Sequence, residues 1–242
     1  MHLSLGRLFQ FFLPSQCACC GTFLGEGQPG LCAECFARTR PIEPPFCSVC
    51  GVPFVSSLGE SHVCGACQVR KKHFTTARAV AYYEGPLQET LHRWKYERRI
   101  SLTPFLGRWM AEGLRRCWPR PRFDLLIPVP LHVKRLRERG FNQALLLTEE
   151  LSRWTRIPYE KRVLQKRRAT VPQVDLSGID RERGIKGAFT VLGNGPVEER
   201  SILLVDDVFT TGATVNECAK VLLAAGAGRV DVFTLARAVK LF

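Results

Sequence analysis

Residues 202–218 read "ILLVDDVFTTGATVNEC". Four apolar residues, Ile202 to Val205, run straight into two adjacent carboxylates, Asp206 and Asp207, and then into Thr210-Thr211-Gly212-Ala213-Thr214. An unbroken apolar run is the pattern of a strand covered on both faces, the usual state of parallel strands. A strand over 201–205 puts both aspartates at its carboxyl end, where open parallel sheets bind their ligands. Neighbouring carboxylates repel, so ionising both requires compensation: hydrogen bonds from a sugar diol, or the charge of a divalent cation. A helix is expected over 214–225, which sets the threonines at its N-terminus. Successive amides and hydroxyls there form an anion cradle, and Gly212 lets the backbone approach closely. Carboxylates for hydroxyls beside a nest for phosphate describe a ribose 5-phosphate site. For an isolated Asp-Asp pair the plain alternative is a strand cap followed by an ordinary helix start. The chain has no G-x-x-x-x-G-K-[ST] loop and no G-x-G-x-x-G after a strand, so the nucleotide folds built on those loops are not indicated.

Outward from this stretch the pattern is α/β. Ala77–Tyr83 alternates weakly, as an edge strand does. Residues 86–98 have helical spacing through Leu87, Leu91, Trp94 and Lys95, and a second helix is expected over 104–118. Asp124–Pro130 reads as a buried strand ended by prolines, and Phe141–Trp154 as a helix through Ala144, Leu147 and Leu151. Short strands are expected at 162–165 and 187–192, and a last one at 230–235. Strands alternating with helices imply a mostly parallel sheet flanked by helices.

The first seventy residues differ. Nine of the eleven cysteines lie within 17–67, and eight form four C-x-x-C pairs: Cys17/Cys20, Cys32/Cys35, Cys47/Cys50 and Cys64/Cys67. One such turn puts two thiolates on one edge of a metal, and a second completes a tetrahedron around zinc. Gly21 and Gly51 follow the first and third pairs and are expected to let amides turn toward the sulfurs. Disulfides suit a secreted chain, for which no signal is visible, and a redox motif needs one pair rather than four. Two structural zinc ions follow. Sequential pairing gives two four-cysteine ribbons, and an interleaved arrangement, first with third and second with fourth, stays open. Cys19 is a spare, while Cys117 and Cys218 read as small core residues. A unit this small buries little apolar surface, so the metal supplies its folding energy. The expected division is a helix and double zinc ribbon over 1–70 and an α/β domain over 71–242, with a hinge at 70–76.

The chain has 242 residues and a formal net charge of +13, most of it outside the cysteine-rich part. Thirteen Lys and Arg fall between Arg93 and Arg139 against four acids. Such a surface favours anionic partners: phosphorylated small molecules, nucleic acid or an acidic membrane face. No apolar run reaches the roughly 20 residues of a bilayer span. The segment from Leu3 to Pro14 reads as a short amphipathic helix packed on the protein, and a cytoplasmic location is expected.

The stretch from Leu203 to Thr214 resembles the phosphoribosyl pyrophosphate (PRPP) loop of type I phosphoribosyltransferases. More of the chain is similar to one branch, the ComF/GntX family: the cysteine pairs, "IPVPLHVKRLRERGFNQA" (127–144), "RRATVPQVDLS" (167–177) and "GAFTV" (187–191). Gly184 departs from that pattern, which has an asparagine there. The resemblance implies the type I phosphoribosyltransferase fold behind a cysteine-rich double zinc ribbon. It implies that Asp206 and Asp207 hold ribose hydroxyls, and that Thr210, Thr211, Gly212, Ala213 and Thr214 hold the 5-phosphate. Lys134, Arg135 and Arg139 would approach the pyrophosphate together with magnesium, and 168–186 would form a loop closing over the sugar.

Three functions stand beside one another. One is a PRPP-binding protein of natural competence and DNA uptake, with single-stranded DNA or competence-machinery proteins as partners. Another is an active phosphoribosyltransferase of unknown acceptor. The third is a non-catalytic zinc-ribbon adaptor that binds nucleic acid. Trp94 and Tyr96 among basic residues suit base stacking, though such aromatics more often fill cores.

Overall fold

The apolar run at 202–205 sits in an inner strand of a four-stranded, wholly parallel sheet. The computed structural model describes residues 15–25, 29–55, 59–120, 123–168, 184–193 and 197–239. The N-terminal segment to Pro14 and most of the loop expected from 168 to 186 lie outside these residues. Among them the strands are β1 (Ala77–Tyr82), β2 (Leu125–Pro128), β3 (Leu164–Lys166), β4 (Phe189–Val191), β5 (Ser201–Phe209) and β6 (Arg229–Arg237). The sheet order is β1-β6-β5-β2, and β3 and β4 form a separate antiparallel pair. The helices are α1 (Ala33–Ala37), α2 (Gly65–Val69), α3 (Gly85–Tyr96), α4 (Thr103–Cys117), α5 (Val133–Arg139), α6 (Gln143–Thr155) and α7 (Ala213–Ala224).

Successive side chains of a strand point to opposite faces, and here both faces are covered. Leu126, Leu203, Val205 and Phe233 join Leu87, Leu106 and Leu147 in the layer of α3, α4 and α6. Leu125, Ile127, Ile202, Leu204 and Val232 join Cys218, Ala219 and Leu222 of α7 on the other side. Each fully buried Leu, Ile, Val or Phe among them contributes about 1.5–3 kcal/mol. Cys47, Cys50, Cys67 and Phe74 belong to this second layer, so part of the cysteine-rich region packs on the sheet. Trp94 is fully buried, with its indole N–H donating to Thr103 Oγ1 at 3.1 Å, whereas Tyr96 is exposed. Trp94 is therefore core.

Both outer edges of the sheet carry irregular backbone. Pro41 bridges Ala81 antiparallel to β1, with Ile42 N–H donating to Val80 O at 3.1 Å and Tyr82 N–H to Arg40 O at 2.9 Å. Tyr159 bridges Leu126 of β2 in the parallel sense. No helix among the described residues is long and apolar enough to cross a membrane.

Helices α4 and α6 approach closely because position 107 is glycine: a Cβ there would collide with Cβ and Cγ of Glu150. Gly107→Val is expected to lower stability by about 1–3 kcal/mol, the usual cost of overpacking, read as a reduced midpoint in urea denaturation.

Candidate functional site

The strand expected to stop at 205 continues to Phe209, so both aspartates lie inside β5 rather than past its end. The reason is the asymmetry of its neighbours. On one side β2 stops at Pro128, opposite Val205, and its chain leaves after a last bond from Val129 N–H to Val205 O at 2.9 Å. Pro128 and Pro130 have no N–H to carry that ladder further. On the other side β6 runs on, pairing Asp206 with Thr234, Val208 with Ala236 and Phe209 with Arg237. Asp206 and Asp207 thus lie on the part of β5 that β6 still pairs but that is past the last residue paired with β2.

The two carboxylates differ in environment. Asp206 Oδ1 accepts the amide of Asp207 at 2.9 Å, and burial, followed by the charge of Asp207, pushes its carboxyl up to about 7. Asp207 Oδ2 lies 2.7 Å from the ammonium of Lys95, the side chains being 13% and 11% exposed. Burial pulls the Lys95 ammonium down, but Asp207 outweighs it and the net shift is upward. Part of the compensation that adjacent carboxylates require is therefore supplied within the chain, by a side chain of α3. Sequence reasoning did not give Lys95 this role. The signal was present: Leu87, Leu91 and Lys95 share one stripe of α3, and a lysine on a buried stripe needs a carboxylate.

The turn beyond β5 is open to solvent at Thr210 and Thr211. Thr211 Oγ1 accepts the amide of Ala213, the first residue of α7, at 3.3 Å. Gly212 adopts φ +77°, the left-handed region that favours glycine, and lies buried against the ring of Phe209. Asp206, Asp207 and the turn thus share one strand–turn–helix unit.

The cations of α5 stand differently. Arg135 faces Glu138 at 3.8 Å, and Arg139 donates to Gln143 Oε1 at 3.1 Å with its guanidinium over the ring of Tyr96. Lys134 is exposed. On β3, burial lowers the pKa of Lys166, while Cys218 and Asp206 act to raise it and Arg135 to lower it. A cavity of about 640 Å³ lies between α5 and β3, lined by Leu131, Val133, Leu136, Phe141, Lys161 and Lys166 among others. Asp206, Asp207 and Thr210–Thr214 do not line it. At the base of the loop expected over 168–186, Arg168 donates to Lys186 O at 2.6 Å.

The eight paired cysteines form two groups, Cys17, Cys20, Cys32 and Cys35, and Cys47, Cys50, Cys64 and Cys67, with the sulfurs of each group within 4.8 Å of one another. Pairing is sequential, and Cys19 stands outside. Backbone amides reach the sulfurs, but not from the glycines. Cys32 and Cys64 donate to Cys17 and Cys47 Sγ at 3.3 Å each, whereas Gly21 and Gly51 donate to the carbonyls of Cys17 and Cys47. Although burial works against it, the amides of Cys64, Cys50 and Val49 hold Cys47 at about 6. Burial, then the neighbouring thiols, push Cys35 and Cys67 far up. Four sulfurs this close cannot all ionise without a cation among them, which is the donor set of a structural zinc site. When bound, zinc supplies cross-links between turns rather than a reactive position.

The family model of a double zinc ribbon domain matches residues 8–68. The "DNA utilization protein YhgH" of Shigella flexneri is 36% identical over 229 residues, covering 93% of this chain and 98% of that protein. "Competence protein F" of Haemophilus influenzae is 32% identical over 231 residues, 94% of this chain and 99% of its own length. The chain belongs to the ComF family. A solved glutamine PRPP amidotransferase from B. subtilis, complexed with ADP and GMP, resembles this ComF-family chain with a TM-score of 0.37 and 24% identity over 55% of it. The chain spans about a quarter of that enzyme's length, 25%.

Replacing Cys32 by Ser should reduce bound zinc from two ions per chain to one, measured by atomic absorption, because each group closes on its own four sulfurs. A second expectation concerns Asp206. Its folded pKa of about 7 lies above the ordinary 3.8, so the folded state holds the proton longer and stability falls as pH rises. Asp206→Asn removes that term. Its stability relative to the parent should grow between about pH 4 and 7 and level off above about pH 8, read by urea denaturation.

Proposed function

We propose that this ComF-family chain binds PRPP, or another ribose 5-phosphate ligand, together with magnesium, and that it serves natural competence and DNA uptake on the cytoplasmic side. The observation that carries the reading is the unit of β5, turn and α7, where two carboxylates past the end of β2 are followed, after Val208 and Phe209, by exposed Thr210 and Thr211. Ribose hydroxyls donate to Asp206 and Asp207, and the 5-phosphate accepts from the amides and hydroxyls of Thr210, Thr211, Gly212, Ala213 and Thr214. Lys134, Arg135 and Arg139 of α5 supply the cations for the diphosphate. Magnesium, when bound, neutralises diphosphate charge. Lys95, 2.7 Å from Asp207 Oδ2, holds that carboxylate in place, and a ribose hydroxyl shares it. The names of the relatives, a competence protein and a DNA utilization protein, support the physiological half of the reading.

An active phosphoribosyltransferase is the second reading, favoured by the raised pKa of Asp206, since strongly shifted carboxyls gather at reactive sites. Release of pyrophosphate on adding free bases or single-stranded DNA separates it from a binding-only role.

Titration calorimetry with PRPP and magnesium tests the shared core. The parent should bind, and Asp207→Ala should weaken binding by about tenfold or more, the size of a lost charge-assisted hydrogen bond, with zinc content unchanged. No heat from the parent would remove both readings.

A further inference from the structure

One buried cation takes no part in the site described so far. Arg237 ends β6 and is 7% exposed. Its Nη1 donates to the carbonyl of Cys50 at 2.6 Å, and its Nη2 lies 3.8 Å from Cys50 Sγ, a ligand of the second cysteine group. The same guanidinium stands 4.3 Å from the centroid of the Phe209 ring. Phe209 is its partner in the strand register, and Ala238 N–H donates to Phe209 O at 2.9 Å. Beyond the ring there is no slack: a Cβ on Gly212 would come within 2.5 Å of Phe209 Cζ.

These contacts form a stack from the second cysteine group through guanidinium and ring to the turn. Four thiolates around one divalent ion carry net negative charge, which a neighbouring buried guanidinium offsets. Only a planar group with several donors spans a carbonyl, a sulfur and an aromatic face together. The first cysteine group is tied elsewhere, through Ala18 in the core layer of α4 and the Phe36 ring 5.1 Å from Trp109.

We propose that Arg237 is a positioning residue that registers the Thr210–Thr214 turn against the second cysteine group, so that the state of that group sets the turn's affinity for phosphate. The proposal rests on the ligand reading given above. Zinc there is sensed through Arg237 and the Phe209 ring rather than by any of its four cysteine ligands touching the turn.

The full-length protein loaded with cadmium-113 tests this, because each four-sulfur group gives its own resonance. Magnesium and PRPP should shift one of the two resonances in the parent. Arg237→Met should abolish that shift and weaken PRPP binding about ten- to hundredfold, as loss of an outer partner of a metal site does, with two metal ions per chain retained. Should Arg237→Met lose metal, Phe209→Leu keeps the Arg237–Cys50 bond and must give the same loss of response. A parent that binds PRPP with neither resonance moving, or an Arg237→Met variant that binds like the parent, overturns the coupling and leaves the ligand reading standing. A parent that takes up no PRPP overturns both.

Discussion

Burial on both faces of β5 determines where this protein can carry charge. From Ile202 to Val205 the strand has a neighbour on each side and a helical layer above and below, so every side chain there is apolar. Past Val205 one neighbour is gone and the strand edge opens, while β6 still holds the other side. That step of a single strand end lets two carboxylates occupy a rigid element past the reach of β2. It also holds them in fixed relation to the turn that begins at Thr210, because the ladder persists to Phe209.

Two buried cations then stabilise negative centres on either side of the same strand. Lys95 reaches Asp207 from α3, and Arg237 reaches Cys50 from the end of β6. In each case removing one partner would leave the other charge uncompensated in a poorly hydrated place, which is far costlier than losing an exposed ion pair. The exposed pairs, such as Arg108 with Glu112 on one turn of α4, contribute little by comparison.

Much of this was legible in the residues. The apolar run, the C-x-x-C spacing and the helical stripes located the sheet, the eight paired cysteines and α3, α4, α6 and α7, while the grouping of the cysteine pairs stayed open until the fold was seen. What local pattern could not reveal was set by contacts distant in sequence. Strand β5 outlasts its apolar run because β6, some thirty residues on, keeps pairing with it. Asp207 meets a lysine more than a hundred residues earlier, and Arg237 meets a cysteine of the N-terminal region. The glycines after the first and third cysteine pairs looked suited to face the sulfurs, yet the amides of the next pair do so instead, because the two turns of each group fold over one another.

The irregular segments lying along β1 and β2 have a consequence for association. With Arg40–Ile42 bonded to one margin and Tyr159 to the other, the sheet's outermost amides and carbonyls are already engaged. Along the bonded stretches at Val80–Tyr82 and Leu126 a visiting strand would have to displace these segments, which disfavours strand addition at those two margins. A partner meeting those margins grips side chains instead, and with a formal net charge of +13 many of these are lysines and arginines.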